Sequence, residues 1–162
     1  MKKKLSLRYL LPLVICLLFP AMANAHCEIP CGIYGDKMRI DMIKEDITTV
    51  EKSMNQIVEL SKASVIDYNQ LVRWINNKEE HANKIQDIAT QYFMFQRVKL
   101  TDDPMQEKKN GEMLKLLHEL CVYAMKSKQS SDLNNVEKMK MVTDKFAKLY
   151  LGEDYGQEHG HK

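Results

Sequence analysis

The sequence predicts an all-α protein, an antiparallel four-helix bundle, on three observations. Apolar residues recur at alternating spacings of three and four along four long stretches of the 162-residue chain, as they do when one face of a 3.6-residue helix is buried. Short polar connections rich in Ser, Asp and Pro separate those stretches, so consecutive helices are expected to fold back on one another. No alternating run long enough for a strand occurs after residue 25.

Taken in order, residues 1–25 read as a secretory signal peptide. Lys2, Lys3, Lys4 and Arg8 form a positive start, residues 10–19 an apolar run interrupted only by Pro12, and Ala23-Asn24-Ala25 a small-x-small cleavage signal. The segment is too short for a membrane span, and Cys16 lies inside the apolar run behind Ile15, a poor neighbour for lipidation. An exported protein is expected, periplasmic or secreted, with no membrane attachment after cleavage. Cleavage removes four basic and no acidic residues, leaving 20 Lys+Arg against 22 Asp+Glu and a net charge of −2 in place of +2. No basic footprint for nucleic acid remains.

Residues 26–35 are too rich in Pro and Gly for regular structure. Asp36 then offers a helix N-cap, and Ile40, Ile43, Ile47, Val50, Met54 and Ile57 form a heptad-like seam. A second helical pattern covers 65–98, with Tyr68, Leu71, Ile75, Ala82, Ile85, Ala89 and Tyr92 on one stripe and a polar patch at 76–80 that suggests a kink or short loop. Thr101-Asp102-Asp103-Pro104 breaks the pattern and sets Pro104 as the first residue of a third helix, whose face is Met113, Leu116, Leu117, Leu120 and Ala124. Residues 127–131 read as a polar connection, with Ser131 or Asp132 capping a fourth helix. Its face is Val136, Met139, Thr143, Phe146, Ala147 and Tyr150, and Gly152 ends it. The bundle thus occupies 36–152, and 153–162 form a frayed tail.

Cutting after Ala25 makes His26 the first residue. Its free α-amine and imidazole chelate together, Cys27 adds a thiolate and a backbone amide nitrogen one chelate ring further on, and Cys31 adds a second thiolate. Nitrogen and sulfur donors in one plane suit Ni(II) or Cu(II) better than zinc, which prefers a tetrahedron. Cutting after Ala23 would leave two residues ahead of His26 and remove that amine. A Cys27–Cys31 disulfide is the plain alternative in an oxidising compartment, but it leaves the histidine at the cleavage site unexplained. Cys121, among Leu117, Leu120 and Ala124, reads as a buried inert thiol.

His26, Cys27, Pro30, Cys31, Gly32 and Tyr34 together resemble, position for position, the metal hook of nickel-containing superoxide dismutases. The resemblance implies a hook of residues 26–35 on a four-helix bundle, one nickel ion per chain, superoxide as substrate, and a homohexamer whose neighbours cover the hooks. It assigns the His26 amine, the Cys27 amide nitrogen and the Cys27 and Cys31 thiolates to the metal plane, with the His26 imidazole axial in the oxidised state. Tyr34 would stand at the open face of the metal, and Tyr92 resembles a second tyrosine near the site. Asp41 and Arg73 resemble an acid and a base that pair beneath the hook, although the acid is Asp rather than Glu and the interval from Arg73 to Tyr92 is longer by about one turn.

Other features carry less chemistry. His81, between Glu80 and Ala82, reads as a solvated helix residue, His118 as a packing residue, and His159 and His161 as part of the tail. Trp74, Phe93 and Phe95 exceed what one bundle needs, which favours self-association. A copper oxygenase with a histidine brace would need a second histidine at the metal and a β-rich face. A periplasmic helical metal-binding or thiol-redox protein is the remaining alternative, and Met38, Met42 and Met54 then become candidate soft ligands, though their spacing is that of core fillers.

Overall fold

The structure, a computed structural model, describes residues 35–152. Four helices account for nearly all of them: α1 Asp36–Ser61, α2 Tyr68–Asp87 continuing without a break into a π-helical segment Ile88–Arg97, α3 Pro104–Gln129, and α4 Asn134–Leu151. There is no strand among the described residues. Each helix packs on its neighbours in sequence, and α4 closes the ring against α1. Pairs along the ring show neighbours to be antiparallel: Ser53 meets Asn77 while Asp36 meets Tyr92, Lys78 meets Lys128 while Gln86 meets Cys121, and Glu51 meets Lys140 while Lys44 meets Asp144.

Short polar side chains start three of the helices by satisfying amide donors that the helix leaves open. Asp67 accepts from the Gln70 amide at 3.1 Å, Asp103 from the Met105 amide at 3.0 Å with Pro104 opening the helix, and Asp132 from the Asn134 amide at 3.0 Å, although the cap position of α4 itself is Leu133 and not the expected Ser131 or Asp132. α1 departs from expectation. Gly35 takes the cap position without a side-chain bond, and Asp36 is already helical, its carboxylate engaged across the bundle. Gly152 closes α4 at φ 105°, a region costly for any residue with a Cβ.

Two expected interruptions are absent for one reason, polar residues used between helices. The 76–80 patch runs on as helix: Asn77 donates to Ser53 Oγ at 2.9 Å, and the buried Lys78 ammonium donates to the carbonyls of Lys128 and Ser130 at 2.7 and 3.3 Å. Those bonds satisfy terminal carbonyls of α3, which extends to Gln129, so Ser127 is a fully buried helical residue and not part of a connection.

The predicted seam of α1 from Ile40 to Met54 is buried throughout, as are Ala82, Ile85 and Ala89 of α2, Met113, Leu117, Leu120 and Ala124 of α3, and Val136, Met139, Phe146 and Ala147 of α4. The start of α2 is different. Tyr68, Val72 and Ile75 are exposed, because Lys78 already meets the end of α3 and the α1–α2 hairpin projects beyond it. Phe93 is no surplus aromatic but fully buried, edge-on to Tyr92, Phe146 and Tyr150 with centroids 5.0, 4.9 and 5.4 Å away. Trp74 is half-buried under the Lys52 ammonium, and Phe95 is 61% exposed. Cys121 packs at the core edge, where burial pushes its thiol pKa up and keeps it unreactive. His118 is exposed on α3, not packed. Of the methionines weighed as ligands, Met54 is core whereas Met38 and Met42 are exposed.

Candidate functional site

His26, Cys27, Cys31 and Tyr34, with the cleavage site and the tail, lie outside the described residues. Among the described residues no three His, Cys, Asp or Glu side chains converge in a way that could hold a metal ion. What the bundle does build is a polar cluster where the chain enters α1, only five residues after Cys31.

Its centre is the Asp36 carboxylate. Tyr92 donates its hydroxyl to Asp36 Oδ1 at 2.5 Å, Arg97 Nε donates to the same oxygen at 3.0 Å, and Tyr150 donates to Oδ2 at 2.8 Å. Arg97 Nη2 also donates to the Tyr92 oxygen at 3.1 Å. The π-helical segment makes this possible. An α-helix leaves positions five apart about 140° out of line, whereas a π turn, closed here by the Val98 amide on the Phe93 carbonyl at 3.0 Å, brings Tyr92 and Arg97 to one side. The Arg39 and Arg97 guanidinium carbons lie 5.1 and 5.0 Å from the Tyr92 ring centroid, both within cation–π reach.

The charge states follow from these contacts. Burial pushes the Asp36 carboxyl up, but the Tyr92 and Tyr150 hydroxyls and the Arg97 charge outweigh it and hold its pKa below the ordinary value. Burial, reinforced by the hydrogen bond to Asp36, raises both phenols, Tyr150 far above the usual range. At neutral pH the hydrogen-bonded set is therefore one carboxylate, two neutral phenol donors and the Arg97 guanidinium ion.

Tyr92, which the resemblance set near the site, is in this cluster. Asp41 and Arg73 are not brought together: Arg73 lines a groove with Thr49, Lys52, Gln70, Trp74 and Asn77, and Thr49 and Lys52 lie two to three helical turns beyond Asp41 on α1. The expectation that these two pair is corrected, since the antiparallel register of α1 and α2 sets Arg73 near the projecting end. An acid–base pair does occupy the entry to α1, but it is Asp36 with Arg97. A 3.6-residue stripe read along α2 could not place Arg97 beside Tyr92. The signal that could have was the density of aromatic and long polar side chains from Gln91 to Arg97.

The model of the nickel-containing superoxide dismutase family matches residues 21–153, a span that takes in the 26–35 segment and all four helices. The chain belongs to the nickel-containing superoxide dismutase family. No curated protein and no solved structure matches it significantly.

This dismutase is accordingly an oxidoreductase with a nickel cofactor and superoxide as its substrate. The residue types of the 26–35 segment fit that metal: cysteine thiolates, of which Cys27 and Cys31 offer two, are strongly donating ligands that stabilise the higher oxidation state of nickel. Elsewhere in the dismutase His81, expected in solvent, is instead paired with a buried acid, its Nδ1 lying 2.6 Å from Asp46 Oδ1. With only two potential ligands, that pair is a bridge between α1 and α2 and not a second metal site.

Proposed function

We propose that the dismutase is exported, is cut after Ala25, and holds one nickel ion per chain at the new N-terminus. The metal would be held by the His26 amine and imidazole, the Cys27 amide nitrogen, and the Cys27 and Cys31 thiolates. The observation that carries this reading is the position of His26-Cys27 directly after a signal-peptidase site, with Cys31 four residues on. Nickel bound there supplies a Ni(III)/Ni(II) couple that disproportionates superoxide to oxygen and hydrogen peroxide.

The chain's own residues hold the metal and manage anions and protons. Two superoxide anions take up two protons on giving one oxygen and one peroxide, so hydroxyl groups near the metal have a task. Tyr34, two residues before the described bundle begins, orders water, supplies a proton or excludes larger anions. Tyr92, its hydroxyl engaged by Asp36 and Arg97, supports the site from the bundle. Pro30 and Gly32 shape the loop by fixing one dihedral and freeing another.

The proposal extends to assembly and compartment. Phe95, Tyr68, Val65 and Val72 are more than half exposed, which supports a homo-oligomer, and the family resemblance makes a hexamer with hooks at subunit contacts the reading adopted here. Residues 1–25 support a periplasmic or secreted location.

Nickel analysis and a superoxide assay on protein beginning at His26, beside protein retaining Ala25, test the central claim. One nickel per chain and activity are expected only for the first, because a peptide bond at His26 converts the amine to a non-coordinating amide. Equal activity and equal nickel spectra in both would remove the amine from the ligand set. Light scattering on the loaded protein tests assembly, and a fully active monomer would exclude completion of the site by neighbours.

A further inference from the structure

The Asp36 carboxylate spends both oxygens on donors from distant parts of the chain, Tyr92 and Arg97 on the π-helical segment and Tyr150 on α4. An acid at the first position of a helix normally serves the local amides, yet the cap of α1 has no side-chain bond. The first turn of α1 is closed by backbone alone, the Arg39 amide donating to the Gly35 carbonyl at 2.8 Å. What anchors the entry to α1 is therefore the set of three inter-helix bonds, mounted on a rigid support: the Tyr92 and Tyr150 rings are both edge-on to the buried Phe93, and Tyr150 stacks on Phe146 at 5.5 Å.

We propose that Asp36, held by Tyr150, Tyr92 and Arg97, is a positioning residue for the nickel hook, mooring the chain five residues after Cys31 so that the last metal ligand leaves a fixed point. This rests on the hook reading above and adds to it a role for the C-terminal helix. The physical basis is preorganisation. A ligand loop whose exit is free to fray gives up its metal faster, and groups that orient ligands without touching the metal typically change affinity by about 10–100-fold. Arg97 has a second function in the same set, neutralising the Asp36 charge so that the carboxylate does not stand as a bare anion beside an anionic substrate.

The test uses the full processed protein as Asp36→Asn and Tyr150→Phe. The second keeps the ring that packs on Phe93 and removes only the hydroxyl, so the fold is retained. Two readouts are taken: hydrogen exchange of the residue 37–41 amides in metal-free protein, and nickel loss to a chelator with the Ni(III) paramagnetic spectrum of loaded protein. The inference expects both variants to exchange faster in the first turn of α1, to lose nickel about tenfold or more faster, and to show an altered spectrum. Faster exchange with unchanged nickel loss and spectrum would make Asp36 a purely structural tie and overturn the inference. Unchanged exchange in both variants would overturn it as well. Wild-type protein that takes up no nickel at His26 would overturn the hook reading itself, and the inference with it.

Discussion

Asp36 Oδ2 accepts the Tyr150 hydroxyl at 2.8 Å, joining the first residue of α1 to the last turn of α4 across 114 positions of sequence. The bond ties one end of the described chain to the other, and its acceptor is a carboxylate whose pKa is held below the ordinary value although burial alone would raise it.

That depressed value makes a pH-dependent contribution to stability. Because the folded pKa lies below the unfolded one, the stabilisation is complete above the unfolded value of about 3.9 and is lost as pH falls through the folded value. Asp36→Asn is therefore expected to be less stable than wild type by about 1–2 kcal/mol at pH 7, the gap closing as the solution is acidified below the ordinary carboxylate range. Urea unfolding across a pH series measures it, and a gap independent of pH would show that the charge of Asp36 contributes nothing.

For the hook, Cys27→Ser and Cys31→Ser are each expected to abolish dismutation while leaving helical circular dichroism intact, since the described core is built entirely from other residues. Loss of helicity in either variant would point to a structural disulfide.

The Asp46–His81 bridge gives a prediction remote from that chemistry. Burial raises the Asp46 pKa, and the hydrogen bond and charge of His81 partly offset it. His81→Ala leaves the carboxylate buried with its partner gone, a loss of about 1–3 kcal/mol at pH 7. Thermal unfolding of the variant beside wild type at pH 7 checks this, and equal stability of the two would contradict it.

Lys78 is the last case. Its ammonium donates to the Lys128 and Ser130 carbonyls, so Lys78→Ala removes both bonds and the packed stem. The expected cost is about 2 kcal/mol, with fraying of α3 at Lys126–Ser130 seen as faster amide exchange. Unchanged exchange there would mean that the end of α3 is held by Lys128 on Asn83 and Gln86 alone.

The amino-acid sequence by itself determined the helices and, through the residues of the 26–35 segment, the family. The stripes from Ile40 to Met54 and from Met113 to Ala124 encode a local 3.6-residue repeat, and Asp103-Pro104 and Asp132 encode helix starts through their own short side chains. These are properties of neighbours in the chain, which is why they were legible. Only the tertiary structure decided which polar residues meet. The 76–80 patch became an inter-helix contact rather than a kink, His81 found Asp46, Arg73 was left far from Asp41, and Asp36 turned from its own helix cap to Tyr92, Arg97 and Tyr150. Such pairings depend on the register between helices and on a π-helical stretch that changes which residues share a face. A local periodicity specifies neither, because both are set by how side chains from distant parts of the chain fill one core.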